Sequence, residues 1–147
     1  MKSFNRFIYE QSQINYTDPH DREHGEIHDQ DRDLKHDKDT SNDTKKMLRH
    51  FKDPHKFSAA MKKGKTVKIT RNDSVGNSMH QDKDAKLDPT KAKRVANIVK
   101  NNGPVERPIV ARHTSTGERW LISGAHRAHH ITQSHGHFQA HEIEYDG

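Results

Sequence analysis

The residues with the clearest chemical potential lie in the run Leu121-Ile122-Ser123-Gly124-Ala125-His126-Arg127. An apolar, strand-like stretch ends at Ser123, and Gly124 lacks the side chain that would block close approach. A helix starting at Ala125 leaves its first backbone N–H groups without intrahelical partners, and these, with the helix dipole, attract an anion. Arg127 adds a planar guanidinium that can grip two phosphate oxygens, and His126 adds a second, pH-sensitive donor. The phosphate-binding candidates are therefore Gly124, Ala125, His126 and Arg127. The competing reading is a plain strand-to-helix turn, with Arg127 paired to a nearby acid.

Of the 14 histidines, six fall between His126 and His141: His126, His129, His130, His135, His137 and His141. On a helix His126 and His130 stand one turn apart on one face, which makes them candidates to chelate a divalent metal such as Zn²⁺. No His-Glu-x-x-His pattern accompanies them. The earlier set His20, His24, His28 and His36 shares helical spacing but sits among charged residues, where it reads as solvated.

The elements that must position this turn can be read from the second part of the chain. Thr66-Val67-Lys68-Ile69-Thr70 alternates as a half-buried strand does, and residues 71–87 read as a long polar loop. Asp88-Pro89 supplies an N-cap with proline at the first helical position, followed by Ala92, Val95, Ala96 and Val99 on one face. That helix is expected to close at Asn101-Asn102-Gly103-Pro104, with Gly103 left-handed. Pro108-Ile109-Val110-Ala111-Arg112 and Arg119-Trp120-Leu121-Ile122 read as a hairpin, 125–134 as a second helix and 137–143 as a last strand. The order is strand, helix, hairpin, helix, strand. Trp120 reads as a core residue.

Only 28% of the 147 residues are hydrophobic, while 32% are charged, so a core filling the whole length is not expected. The absence of Cys excludes disulfides, thiol nucleophiles and Cys-bound metal. No apolar run reaches the ~18–20 residues that cross a bilayer and no signal-peptide pattern is present, so a cytoplasmic protein without membrane contact is expected. Residues 18–53 offer only Ile27, Leu34, Met47, Leu48 and Phe51 for burial, so 18–46 read as a disordered or loosely helical solvated arm. Phe4, Phe7, Ile8 and Gln11 fall at helical spacing behind Ser3, which predicts a short amphipathic segment. The expected division is thus a segment 1–12, a charged His-rich arm 13–60 and a folded α+β domain 61–147.

The basic excess lies entirely in that last part, where 15 Lys and Arg face 9 Asp and Glu. Lys62, Lys63, Lys65, Lys68 and Arg71 form the densest run, and Lys91 and Arg94 decorate the first domain helix. These are the candidates for nucleic-acid contact, with a steep salt dependence. The competing reading is a mixed-charge surface that keeps the protein in solution.

Residues 91–143 resemble the ParB/sulfiredoxin family in three blocks: 95–103 ending in Asn-Gly, Arg107-Pro108-Ile109-Val110-Ala111-Arg112, and 120–127 with its Gly-Ala-His-Arg turn. The resemblance covers a little over a third of the chain. It implies a small mixed sheet with packed helices and a turn, Gly124, His126 and Arg127, that grips the phosphates of a nucleotide such as ATP or CTP. Ala125 stands where sulfiredoxin has its reactive cysteine, which excludes that reductase chemistry. The Glu of the partition proteins' Gly-Glu-Arg-Arg is absent, which argues against their CTP switch, and their helix-turn-helix domain is not expected here. The first ten residues resemble the short N-terminal segments of many tailed-phage proteins, some of them delivered into the capsid.

Three functions follow from these expectations. The first is a ParB-like protein binding nucleotide or nucleic-acid phosphates, with DNA nuclease as the activity the resemblance implies for it. The second is an ATP-dependent phosphotransferase, which needs a general base and a carboxylate for a divalent metal; Asp82, Asp84, Asp88 and Glu118 are available, or are plain caps and surface groups. The catalytic candidates across these readings are His126, Arg127, Asp88 and Glu118. The third is a non-catalytic phage protein that docks to a capsid or host partner through residues 1–12. Deleting residues 1–12 separates the third from the others: loss of partner capture with nucleotide binding intact favours docking, whereas loss of nucleotide binding argues against it.

Overall fold

The computed structural model describes residues 13–77 and 80–147, so the expected amphipathic segment 1–12 lies outside them. Among the described residues the chain forms five α-helices and two small sheets, a mixed α+β architecture. The helices are α1 (Gly25–Leu34), α2 (Asn42–Phe51), α3 (Pro54–Lys63), α4 (Pro89–Lys100) and α5 (Ala125–His135). The strands are β1 (Tyr16–Thr17), β2 (Lys65–Thr70), β3 (Val105–Glu106), β4 (Ile109–His113), β5 (Arg119–Ser123) and β6 (His137–Tyr145). The main sheet runs β2-β6-β4-β5, antiparallel at both outer pairs and parallel between β6 and β4.

Strand alternation sends side chains to two cores, one on each face of this sheet. Val110, Leu121, Phe138 and Ala140 face α5, where Ala128 and Ile131 meet them. Ile109, Ala111, Ile122 and Ile143 face the other way, against Ile27, Met47, Phe51, Phe57 and Met61. Ile27 comes from α1, inside the stretch 18–46 expected to be disordered or loosely helical, so that stretch is helical and sends one side chain into the core; Met47, Phe51, Phe57 and Met61 come from α2 and α3. Ile27, Met47, Phe51 and Phe57 are each no more than 1% exposed, because the helices turn them toward one sheet face. The core therefore spans residue 60 without a break.

Local signals explain where these helices begin. Ser41 accepts a hydrogen bond from Thr44 N (3.1 Å), and Asp53 accepts from His55 N and Lys56 N ahead of Pro54. The Asp53-Pro54 start repeats the Asp88-Pro89 start of α4, whose Asp88 accepts from Thr90 N and Lys91 N. At the end of α4 the left-handed residue is Asn102 (φ 55°), not Gly103 as expected. Gly103 N instead donates to Ile98 O at 2.8 Å, closing the turn as the next residue of the cap. Asn tolerates the left-handed region better than most side chains.

The outer edge of β5 is covered rather than open. Gly76 N donates to Arg119 O and Gly76 O accepts from Leu121 N, both at 2.9 Å, while Asn77 Nδ2 donates to Leu121 O. A side chain at position 76 would run into the Trp120 ring, so only glycine allows this approach. Trp120 itself is half-buried against the helical layer, as expected of a core residue, and its Nε1 donates to Gln30 Oε1 at 2.8 Å.

Phe51→Ala is expected to destabilise the domain by about 3–5 kcal/mol, the cost of a large buried cavity. Chemical denaturation followed by Trp120 fluorescence and by helical circular dichroism should give one coincident, shifted transition. Helices that melt apart from the sheet would contradict a shared core.

Candidate functional site

β5 delivers the chain to Ser123, and Gly124 turns it into α5 at φ 92°, ψ 30°. A methyl group there would sit 2.9 Å from Pro108 Cβ and 3.0 Å from Arg127 Nη2, on top of a strained backbone. Glycine is required on both counts. Among the described residues no side chain caps this helix, so its first N–H groups remain available to a ligand. The turn lines a cleft of about 670 Å³, within the range of small-ligand sites.

Arg127 is half-buried and held by two bonds: Nη1 donates to Glu106 O at 2.7 Å and Nη2 to Ser123 Oγ at 3.3 Å. It makes no ion pair among the described residues, so the pairing with an acid that would have silenced it does not occur. Lys91 and Arg94 reach the same cleft from α4, and Val95 and Ile98 give it an apolar wall. Arg22 lines the rim but is paired with Glu106.

The cleft also holds two carboxyl groups that came from the supposed arm, Glu23 and Glu26. Glu23 Oε2 accepts from Ser123 Oγ at 2.8 Å. Glu26 lies three residues on, and its carboxyl is pushed up to about 7 by desolvation first and by its neighbour Glu23 second; Arg127 and Lys91 oppose the shift. Neither residue stood out in the sequence, because both sit in a run of alternating charge. The available signal was positional, since Glu23, Glu26, Ile27 and Gln30 share one helical side.

His126 Nε2 accepts the N–H of Asp88 at 3.0 Å, which places the ring proton of the neutral form on Nδ1. Burial first, then Lys91, pushes its pKa down, so it offers one neutral donor rather than a cation at pH 7. Asp88 is consumed as the α4 cap and touches the site only through its backbone. Its carboxyl is held down chiefly by the bond from Lys91 N.

Other expected residues lie elsewhere. Glu118 accepts from Ser41 Oγ (2.6 Å) and Thr44 Oγ1 (2.9 Å) at the start of α2, bonds that hold its carboxyl below the usual range. Lys62, Lys63, Lys65 and Lys68 are exposed on α3 and on β2 and do not line the cleft. Arg71 donates to Thr132 O near the far end of α5. His24, expected to be solvated, packs on Phe57 and bonds to Lys52 O.

Among the described residues no group of three or more His, Asp or Glu could hold a metal alone, and His126 and His130 stand without a third ligand. Among the same residues, no helix is long and apolar enough to cross a membrane. Comparison of the chain with protein-family models, with curated proteins and with solved structures finds no match.

The raised Glu26 carboxyl gives a signed pH prediction. The folded protein holds a proton that the unfolded chain has released, so stability falls as pH rises from about 4.5 through about 7. Glu26→Gln removes that fall. The variant should melt higher than the parent at pH 8 and match it below pH 4.5; a constant difference in melting temperature across pH would contradict the assignment.

Proposed function

We propose that the cleft binds a nucleotide through its phosphates at the start of α5 and performs chemistry at phosphorus. The observation that carries this reading is the meeting, in one cleft, of a helix start without a side-chain cap and an Arg127 guanidinium without an ion pair among the described residues with the Glu23–Glu26 carboxyl pair. A simple anion-binding patch has no use for acids, whereas phosphoryl transfer needs both a cationic cradle and a proton acceptor.

In this reading the Ala125–Arg127 N–H groups and the guanidinium hold the phosphate oxygens, with Lys91 and Arg94 offsetting their charge. Glu26, poised near neutrality, accepts the proton of an attacking hydroxyl as the new O–P bond forms. The bond between the transferred phosphorus and its leaving oxygen breaks, and the leaving phosphate departs as an anion. Water as the attacker gives hydrolysis, and an alcohol gives a phosphorylated acceptor. A divalent cation, when bound, would neutralise charge on the phosphates.

The resemblance of 91–143 to the ParB/sulfiredoxin family rests on the same Gly124, His126 and Arg127 and supports the same guest. A concave cleft with carboxylates in it suits a mononucleotide better than a duplex, whose further phosphates would meet like charge. The lysines of 62–68 remain candidates for a separate nucleic-acid contact, and residues 1–12 for a docking one.

Arg127→Ala is expected to weaken ATP or CTP binding at least tenfold in low-salt calorimetric titration, with the fold retained by circular dichroism. Equal affinity of variant and parent would refute the phosphate role. Arg127-dependent binding of duplex DNA without nucleotide binding would make a nucleic-acid backbone the guest instead.

A further inference from the structure

Ser123 is the last residue of β5, 2% exposed, and it touches both halves of the cleft. Its Oγ donates to Glu23 Oε2 at 2.8 Å and accepts from Arg127 Nη2 at 3.3 Å. A guanidinium can only donate and a carboxylate can only accept, so the two would ordinarily pair directly. A hydroxyl, with one donor and two lone pairs, satisfies both while holding them apart. It leaves the guanidinium unconsumed beside the helix start, and it occupies an oxygen of Glu23, the partner of Glu26.

We propose that Ser123 is a positioning residue of the cleft, whose hydroxyl stands between the Arg127 guanidinium and Glu23 and so keeps the guanidinium free for a phosphate. This inference rests on the phosphate-binding reading of the cleft and adds the residue that keeps its guanidinium available. Among the described residues the second Arg127 bond goes to a backbone carbonyl, Glu106 O, which does not titrate. The charged and titratable groups that face the pair and the guanidinium are Arg22 from the turn before α1, Lys91 and Arg94 from α4, Glu106 from β3 and His126 from α5. Arg22 and Glu106 neutralise each other, and His126 is held by the Asp88 N–H, so the variable charge in the cleft is that of the carboxyl pair.

Without the hydroxyl, Arg127 is free to fall onto Glu23 as a direct ion pair, which withdraws it from an incoming anion. Anion and ionised Glu23 then compete for one guanidinium, so binding depends more steeply on pH than in the parent.

The test compares the full-length parent with Ser123→Ala and with Ser123→Thr, which restores a hydroxyl. Two quantities are read: affinity for inorganic phosphate and for ATP at pH 6 and pH 8, and the titration midpoint of Glu26 followed by carboxyl-carbon NMR without ligand. Ser123→Ala is expected to bind about tenfold more weakly at pH 8, to show a larger difference in affinity between the two pH values than the parent, and to shift the Glu26 midpoint downward. Ser123→Thr should stay near the parent in all three. A Ser123→Ala protein that matches the parent in affinity, pH profile and midpoint overturns the inference while leaving phosphate binding standing. A parent that binds neither phosphate nor ATP overturns the functional reading itself, and the inference with it. A midpoint that moves equally in both variants marks simple repacking and also overturns the inference.

Discussion

Two strands of this sheet are apolar on both faces, and that constraint organises the molecule. Ile109-Val110-Ala111 and Leu121-Ile122 cannot leave either side to water, so each face needs a helical layer. α4 and α5 cover one. The other is covered by α1, α2 and α3, and α1 is pinned over β5 by Gln30, which donates to Ile122 O at 2.5 Å and accepts from Trp120 Nε1. Because α1 is fixed there, the turn that precedes it, Asp21–His24, lies against the end of β5. The carboxyl pair thus arrives at the Gly124 turn as a consequence of packing.

The second part of the chain was legible because its signals are local. Asp88-Pro89 with a four-residue apolar face, a hairpin around a Thr-Ser-Thr-Gly turn and a strand-Gly-helix junction each specify themselves within about a dozen residues. The first part hid its fold because its apolar residues are few and widely spaced, so composition argued for solvation while geometry gathered them. Two local clues were present nonetheless: Asp53-Pro54 is the same helix start as Asp88-Pro89, and Phe57, Ala60 and Met61 follow it at helical spacing. A third was global, since a both-faced apolar hairpin requires more cover than two helices provide. At the site, Gly124, Ala125, His126, Arg127, Lys91 and Arg94 were foreseen and line one cleft. Glu23, Glu26 and Ser123 were not, because their contacts join residues about a hundred positions apart.

Two acids singled out for chemistry sit at helix starts. Glu118, at the hairpin tip, docks on the unpaired N–H end of α2 through Ser41 and Thr44, where a carboxylate is favoured by the helix dipole. Asp88 does the same work within α4 and, through its backbone, fixes the tautomer of His126. An acid near a cleft in sequence terms is most often a cap, and only the three-dimensional partner distinguishes the two roles.

The cover that Gly76 lays along β5 bears on how the molecule meets copies of itself. An uncovered strand edge is a template for recruitment by another chain, and this sheet has two outer strands, β5 and β2. The first is occupied by the Gly76–Asn77 backbone and amide; the second presents exposed Lys65 and Lys68, whose charges repel an identical strand laid alongside. Steric closure on one flank and like-charge repulsion on the other discourage growth into filaments. A bulkier residue at position 76 would peel the loop from Trp120 and leave Leu121 N and the carbonyls of Arg119 and Leu121 open to another chain.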